Sequence, residues 1–273
     1  MSALEILKTG WITTLQDRGR FGFGSLGVPA AGALDPDMAG LVNRLVGNPE
    51  GMVVVETTPG LELRANRDVV VASSLGAEVV SLGPGERYAV GNRSDRTFVY
   101  LAIRGGIQVD PVLDSCSHDT LTGIGPLSLQ AGSLLELGDD PGTPILLDTA
   151  PVPTLPGTIR LWPGPHLALF DSTSVEALLG AVWEPSPSFN RVAMRLDGPP
   201  LVRRARGEIA SFGLVPGAIQ VPHDQRPVVM LRDHPVTGGY PVIAVVEEAD
   251  LYAVAQRPPG SSFRFAWANA EKP

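Results

Sequence analysis

Every apolar stretch of this chain is cut short by a glycine, a proline or a charge. With 31 Gly and 26 Pro in 273 residues, turns are frequent, and no run approaches the ~20 apolar residues that a membrane-crossing helix needs. What lies between the turns is short and β-branched: DVVVASS (68–74), EVVSLG (78–83), RTFVYLAI (96–103), PVVMLRD (227–233) and YPVIAVV (240–246). Such runs predict strands. The connectors GPGER, GNRSD, RGG and TGG supply glycines that take positive φ cheaply, as tight strand connections require. A hydrophobic fraction of 44% is enough for a substantial core in one large domain or two ordinary ones. The expectation is a mainly β protein of barrels or sandwiches, not an alternating β/α chain.

Three helices interrupt that pattern. Asp35 is a good N-cap, Pro36 sits where a missing N–H costs nothing, and Met38, Leu41, Val42, Leu45 and Val46 form one apolar stripe ending at Gly47. This predicts a helix near 36–46. A second runs from Ser172 to Leu179, after Asp171, with Thr173 and Glu176 at capping-box spacing and Gly180 as its stop. A third, weaker pattern covers Glu248 to Gln256 and ends before Pro258-Pro259. The proline-rich stretch PGTPILLDTAPVPTLPGT (141–158) reads as a crossing between two units, 1–150 and 151–273. A faint echo, Arg18-Gly19 before Val28-Pro29 and Arg206-Gly207 before Val215-Pro216, is consistent with related units.

Charge and rare residues exclude several function classes. The net charge is −8 and the basic residues are scattered singly, which argues against nucleic acid and anionic membranes as partners. Lysine occurs only at Lys8 and Lys272. There is accordingly no Walker-type phosphate loop, no interior Schiff-base lysine and no lysine placed to carry covalently attached biotin. The single Cys116 excludes an intrachain disulfide framework, and MSALEILKTG lacks the features of a secretory signal; both fit a cytoplasmic setting. His118, His166, His223 and His234 show no metal-ligand spacing, so no metal site is expected.

GFGSLG (22–27) matches Gly-x-Gly-x-x-Gly, the dinucleotide-loop pattern. That chemistry needs an apolar strand before the loop and a helix leaving it. Here polar QDRGRF precedes, and Val28-Pro29 follows, where proline drives its predecessor out of helical geometry. The match is not a dinucleotide loop; its glycines are expected to let the backbone wind between Asp17-Arg18 and Asp35, as a candidate wall of a site.

Taken together, TTLQDRGRFGFGSLGVPAAGALDPDMAGLVNRLVGNPEGMVVVETTPG (13–60), RGGIQVDPVLDSCSHDTLTGIG (104–125), LDGPPL (196–201) and GLVPGAIQVPHDQRPVVMLRDHPVTGGYPVIA (213–244) resemble the carboxyltransferase subdomain A/B family, which holds allophanate hydrolase subunit 2 together with the C subunit of 5-oxoprolinase. The family also includes the antagonist of the sporulation kinase inhibitor. The resemblance covers nearly the whole chain and implies two tandem cyclophilin-like β-barrel units. It further implies one component of an ATP-dependent complex that opens 5-oxoproline to glutamate with release of ADP and phosphate. Its partner would be the kinase-inhibitor-like B subunit (allophanate hydrolase subunit 1), with the complex's A subunit as a further member, and ATP with magnesium would serve at the level of the complex. Two other roles follow from the same resemblance: a regulator that binds a histidine-kinase inhibitor, and the carboxyltransferase component of a biotin-dependent urea or allophanate pathway. Two departures stand out. Phe189-Asn190-Arg191-Val192-Ala193 replaces a Ser-Asp-Arg-Met-Gly common in relatives, and Asp114-Ser115-Cys116-Ser117 replaces Gly-Ser-Arg-Ser.

The residues able to carry chemistry form a short set. Gln16, Asp17 and Arg18 offer an amide, a carboxylate and a guanidinium beside glycine-rich backbone, suited to a small polar or anionic ligand. RDHPVTGGYP presents Asp233, His234, Thr237 and Tyr240 around Gly238 and Gly239, and histidine is the side-chain type suited to proton transfer, with an adjacent carboxylate able to orient it if the chain turns there. Asp17, Arg18 and His234 are the catalytic candidates; the others, with Asp35 at its helix N-terminus and Arg104 at a strand end, are candidates for binding substrate or anion. Asn43, Asn48 and Glu56 read as turn or surface groups, with Glu56, after the apolar run MVVV, a reserve candidate that could point into a cleft; Cys116 reads as a small buried hydrophobe, and Ser117-His118-Asp119 as no triad, because contiguous residues rarely converge.

Overall fold

A computed structural model describes residues 3–91, 95–204, 207 and 209–269. Residues 92–94 of the GNRSD turn and Arg206 of the internal echo lie outside the described residues. The backbone contacts divide the chain into two compact units. The first holds the residues up to Phe21 together with Ala31–Thr154; the second holds Gly22–Ala30 together with the residues from Leu155 onward. The boundary segment is more than a crossing. Its central residues extend the sheet of the first unit, where Val79 N–H donates to the Asp148 carbonyl and Ala150 N–H to that of Ala77, both at 2.9 Å.

The first unit contains β1 (Leu4–Lys8), β2 (Thr13–Gln16), α1 (Pro36–Leu45), β3 (Val54–Thr57), β4 (Glu62–Ala65), β5 (Val69–Ser73), β6 (Glu78–Leu82), β7 (Arg87–Ala89), β8 (Val99–Ile103) and β9 (Leu134–Leu135). Two antiparallel sheets result, in the orders β7-β4-β1-β9 and β2-β3-β8-β5-β6. VYLAI of β8 is buried at every position because it is a central strand that also carries α1 against it. Val99, Leu101 and Ile103, on one face of the strand, share one core with Leu4, Ile6, Val55, Leu63 and Val71. The helix begins as its sequence dictates: the Asp35 carboxylate accepts the Met38 N–H at 3.1 Å and Pro36 takes the first turn.

The second unit contains β10 (Thr158–Pro163), α2 (Ser172–Gly180), β11 (Glu184–Phe189), β12 (Ala193–Asp197), β13 (Phe212–Gly213), β14 (Ala218–Gln220), β15 (Val228–Met230), β16 (Thr237–Gly238), β17 (Val242–Val246), α3 (Leu251–Ala255) and β18 (Arg264–Trp267). Seven strands follow the order β11-β12-β15-β14-β17-β10-β18, with β10 and β18 parallel, while β13 and β16 form a separate antiparallel pair. Asp171 itself caps α2, accepting the Ser174 N–H at 2.7 Å, and Thr173 donates back to Asp171; the expected Thr173/Glu176 box is not what starts this helix. The third helical pattern splits into a 3-10 turn, Glu248–Asp250, followed by α3.

GFGSLG contains a single 3-10 turn, Gly24–Leu26, closed by Gly27 at φ 79°. No strand leads into it, since β2 ends at Gln16, and no α-helix leaves it, which is why its glycines cannot cradle a pyrophosphate. It belongs to the second unit, where a Cβ on Gly24 would lie 3.9 Å from Val236. The fold as a whole is mainly β with few helices and a curled half-barrel sheet. Among the described residues no helix is long and apolar enough to cross a membrane.

Candidate functional site

In the first unit, β2 delivers Gln16, Asp17 and Arg18 to a cavity of about 210 Å³, whose other wall is one side of α1 from its first turn to its last (Pro36, Asp37, Gly40, Arg44) with Glu50 and Met52 of the turn after it. Three neighbouring residues on this wall have different duties. Gln16 is fully buried and donates its amide to Thr14 Oγ1 at 3.0 Å and to the His118 carbonyl at 2.9 Å, so it fastens β2 to a distant loop. Asp17 is consumed by hydrogen bonding. Its Oδ1 accepts from Gly19 N–H (2.7 Å), Ser115 Oγ (2.7 Å) and Ser117 Oγ (2.6 Å), and its Oδ2 from Cys116 N–H (2.7 Å). Burial raises the affinity of this carboxyl for a proton, but the donors from Ser117, Ser115, Cys116 and Gly19 outweigh burial and hold its pKa below the ordinary aspartate value. A carboxylate so satisfied is a poor general base. Asp17 therefore organises the 115–117 loop, and proton transfer has to be assigned elsewhere.

Arg18 is exposed and has no hydrogen-bond or ion-pair partner among the described residues. Asp37, on the facing turn of α1, is likewise unpaired among them, whereas Arg44 and Glu50 hold each other at 2.6 Å. The cavity thus offers a free guanidinium for a carboxylate and a free carboxylate for an N–H donor.

Asp35 is absent from that lining. It is buried, caps α1 and pairs with Arg96 at 3.3 Å, while its N–H donates to the Tyr100 hydroxyl, which in turn donates to Glu56 at 2.7 Å. Burial, with the nearby Glu56 and Asp35 charges, pushes the Tyr100 phenol well above its usual pKa. Glu56, Asn43 and Asn48 are buried rather than turn or surface groups. Asn43 donates to the Met52 carbonyl (2.7 Å) and Asn48 to that of Ile103 (2.8 Å), and Glu56 accepts the Leu34 N–H (2.8 Å); each satisfies backbone that an apolar side chain would orphan. Arg104 is also structural, donating to Val46 at the C-terminus of α1 (2.9 Å) and to Asp140 (2.9 Å). It lines a different, larger cavity of about 570 Å³ with Arg67, Asp68 and Asp139.

Ser117, His118 and Asp119 do not converge. Ser117 serves Asp17, Asp119 accepts from Leu121 and Thr122 N–H, and His118 Nδ1 is enclosed without a hydrogen-bond partner among the described residues. Cys116 is half-buried rather than fully so, and burial together with the Asp17 charge raises its thiol pKa, which makes it a poor nucleophile.

In the second unit the RDHPVTGGYP residues take up separate positions. Asp233 and Arg191 are both fully buried and joined by two hydrogen bonds of 2.9 Å, so this carboxylate is committed to the interior of the fold. His234 is buried with Nδ1 2.8 Å from the Pro235 carbonyl. Thr237 and Gly238 form β16 against Phe212 and Gly213. A Cβ on Gly239 would meet only the Ile209 carbonyl at 3.9 Å and Ser211 Oγ at 4.0 Å, and Tyr240 is 42% exposed, its ring edge-on to His223. Sequence reading missed Gln220, which is buried and donates to the Tyr240 carbonyl at 3.2 Å; a Cβ on Gly238 would fall 2.6 Å from its amide nitrogen. A lone glutamine inside AIQVP gives no local signal of that contact. Among the described residues no group of histidine, cysteine, aspartate and glutamate is placed to hold a metal ion.

A mainly β chain with these two polar neighbourhoods matches the family of the carboxyltransferase domain, subdomains A and B, over residues 26–267, and it belongs to that family. Within the family, it is 35% identical to the C subunit of 5-oxoprolinase from Escherichia coli, covering 98% of this chain and 92% of that one. It is 32% identical to the urea amidolyase of Lachancea kluyveri, over 96% of this chain but 17% of the longer protein. The crystal structure of the K. lactis urea amidolyase superposes with a TM-score of 0.88 at 29% identity, over 98% of this chain and 19% of that one.

Proposed function

We propose that this chain is the C subunit of an ATP-dependent 5-oxoprolinase, which together with its B and A subunits converts 5-oxoproline, ATP and water to glutamate, ADP and phosphate. The observation that carries this reading is the cavity of about 210 Å³ holding the unpaired Arg18 and Asp37. It suits a small cyclic amide acid: the guanidinium meets the carboxylate and Asp37 accepts the ring N–H. Pockets for drug-sized ligands enclose roughly 300–1,000 Å³, so this smaller cavity suits the cyclic amide acid better than a nucleotide triphosphate, and ATP with magnesium is assigned to the complex. Opening a stable lactam by phosphoryl transfer to its carbonyl oxygen calls for donors that stabilise the developing charge and for a base. Asp17 is too well satisfied to be that base, so the partner subunits complete the chemistry. The same reading takes each unit as a cyclophilin-like barrel and the complex as cytoplasmic.

The test is reconstitution with the partner subunits, followed by measurement of glutamate released in dependence on both ATP and 5-oxoproline. Turnover by the complex and little by the chain alone is expected; full activity of the isolated chain, or an inactive complex, overturns the proposal. A second reading, carboxyl transfer from biotin to a urea-like acceptor, is favoured by the likeness to urea amidolyases over nearly the whole chain. It requires biotin attached outside these 273 residues, where lysine occurs only at Lys8 and Lys272.

A further inference from the structure

Arg18 has no polar partner among the described residues to hold it, yet its side chain has a defined bed. A Cβ built on Gly51 would stand 2.8 Å from Arg18 Nε, 3.1 Å from Cδ and 3.3 Å from Cζ, so the arginine stem and the near edge of its guanidinium lie directly on the bare backbone of Gly51. Gly51 sits in the turn after α1, where Met52 N–H donates to the Pro49 carbonyl at 3.0 Å, and it does not occupy the left-handed region. Its backbone is one that alanine adopts, so conformation does not demand glycine here. The room taken by Arg18 does. Gly32 shows the opposite case, combining a φ of 94° with a clash of 2.8 Å against the Arg18 carbonyl, where any side chain is strained and meets backbone.

We infer that Gly51 is a positioning residue for Arg18 and that Arg18, so placed, reads the carboxylate of the ligand. The inference rests on the reading above, in which the ligand is a cyclic amide acid. A guanidinium already laid down in its binding pose loses little rotamer freedom when the anion arrives, whereas one displaced into solvent has to be ordered at that moment. With a methyl group at position 51 the flexible arginine gives way before the backbone does, so Gly51→Ala perturbs the site and spares the fold. Arg44, held by Glu50, does not replace it.

The test compares wild type, Gly51→Ala, Arg18→Ala and the double variant in the reconstituted complex, with 5-oxoproline and with 2-pyrrolidinone, the same lactam lacking the carboxylate. Gly51→Ala is expected to raise the KM for 5-oxoproline about tenfold with kcat within about twofold, the loss of roughly one charge-assisted hydrogen bond from binding alone. It should narrow the preference for 5-oxoproline over 2-pyrrolidinone by the same factor, and add nothing in the Arg18→Ala background. An unchanged KM, or additive effects in the double variant, overturns the inference. Crystal structures of wild type and Gly51→Ala supply a readout independent of turnover: Arg18 in the same place in both also overturns it. If the wild-type complex fails to use 5-oxoproline, the functional reading falls, and the position of Arg18 in the two crystals still decides the role of Gly51.

Discussion

Asp17–Arg18 in the first unit and Arg191–Asp233 in the second are built from the same two residue types and put them to opposite uses. Arg191 and Asp233 are fully buried and spend their charges on each other in two hydrogen bonds of 2.9 Å. Asp17 and Arg18 are chain neighbours and do not pair: the carboxylate turns to the 115–117 loop, and the guanidinium is left in a cavity without a partner among the described residues. A charge that is neutralised inside the protein fixes the fold, and a charge left unneutralised at a cavity wall is available to a ligand. Adjacency in sequence decides neither; the long-range partner does.

Removing one member of the buried pair is the most damaging change. Arg191→Met strands the Asp233 carboxylate in the core and is expected to cost about 3–5 kcal/mol, seen as a large drop in the denaturation midpoint or as failure to fold. Exchanging both members, Arg191→Met with Asp233→Leu, should recover most of that loss, because no uncompensated charge remains. If Arg191→Met unfolds at the wild-type midpoint, the contrast between the two neighbourhoods is lost.

Asp17 comes next and brings a pH signature. Its folded-state pKa is depressed below the unfolded value of about 3.9, so its contribution to stability is complete above that value and disappears as pH falls through the folded-state pKa. Asp17→Asn keeps one acceptor and sets an amide against Cys116 N–H, at an expected cost of about 1–3 kcal/mol near neutral pH. Urea titrations of both proteins should show the gap shrinking below about pH 4. A gap that stays constant down to about pH 2.5, chosen as roughly a unit below the unfolded value, would mean that the carboxylate is not what the four donors hold.

How much of this was legible in the sequence depends on the range of each interaction. Strand runs such as RTFVYLAI and YPVIAVV contain β8 and β17, and the Asp35-Pro36 start gives α1 to within a residue, because pattern and capping are local. The polar run Gln16-Asp17-Arg18 was visible as a candidate site, and it does line a cavity. The distribution of work within it was not, since the donors to Asp17 lie about a hundred positions along the chain at Ser115 to Ser117. The same limit hid Arg191 as the partner of Asp233 and made buried Asn43, Asn48 and Glu56 look like surface groups. Asp37, Arg44 and Gly51 carried no signal as site residues, because they meet Arg18 or its cavity only after β2 and the turn beyond α1 are brought together.

Arg18→Ala should change stability least and function most clearly. The side chain is exposed and has no polar partner among the described residues, so truncation breaks no hydrogen bond or ion pair among them, and the unfolding free energy is expected to stay within ~0.5 kcal/mol of wild type. Binding of a carboxylate ligand loses a charge-assisted pair, so the reconstituted complex should show kcat/KM for 5-oxoproline reduced about tenfold or more. Arg18→Lys keeps the charge but lacks the planar fork and should recover only part of the loss. Parallel denaturation curves and turnover measurements on the same preparations separate the two quantities. If Arg18→Ala destabilised the protein by several kcal/mol, as Arg191→Met is expected to do, Arg18 would be another structural cation and the cavity would lose its recognition group.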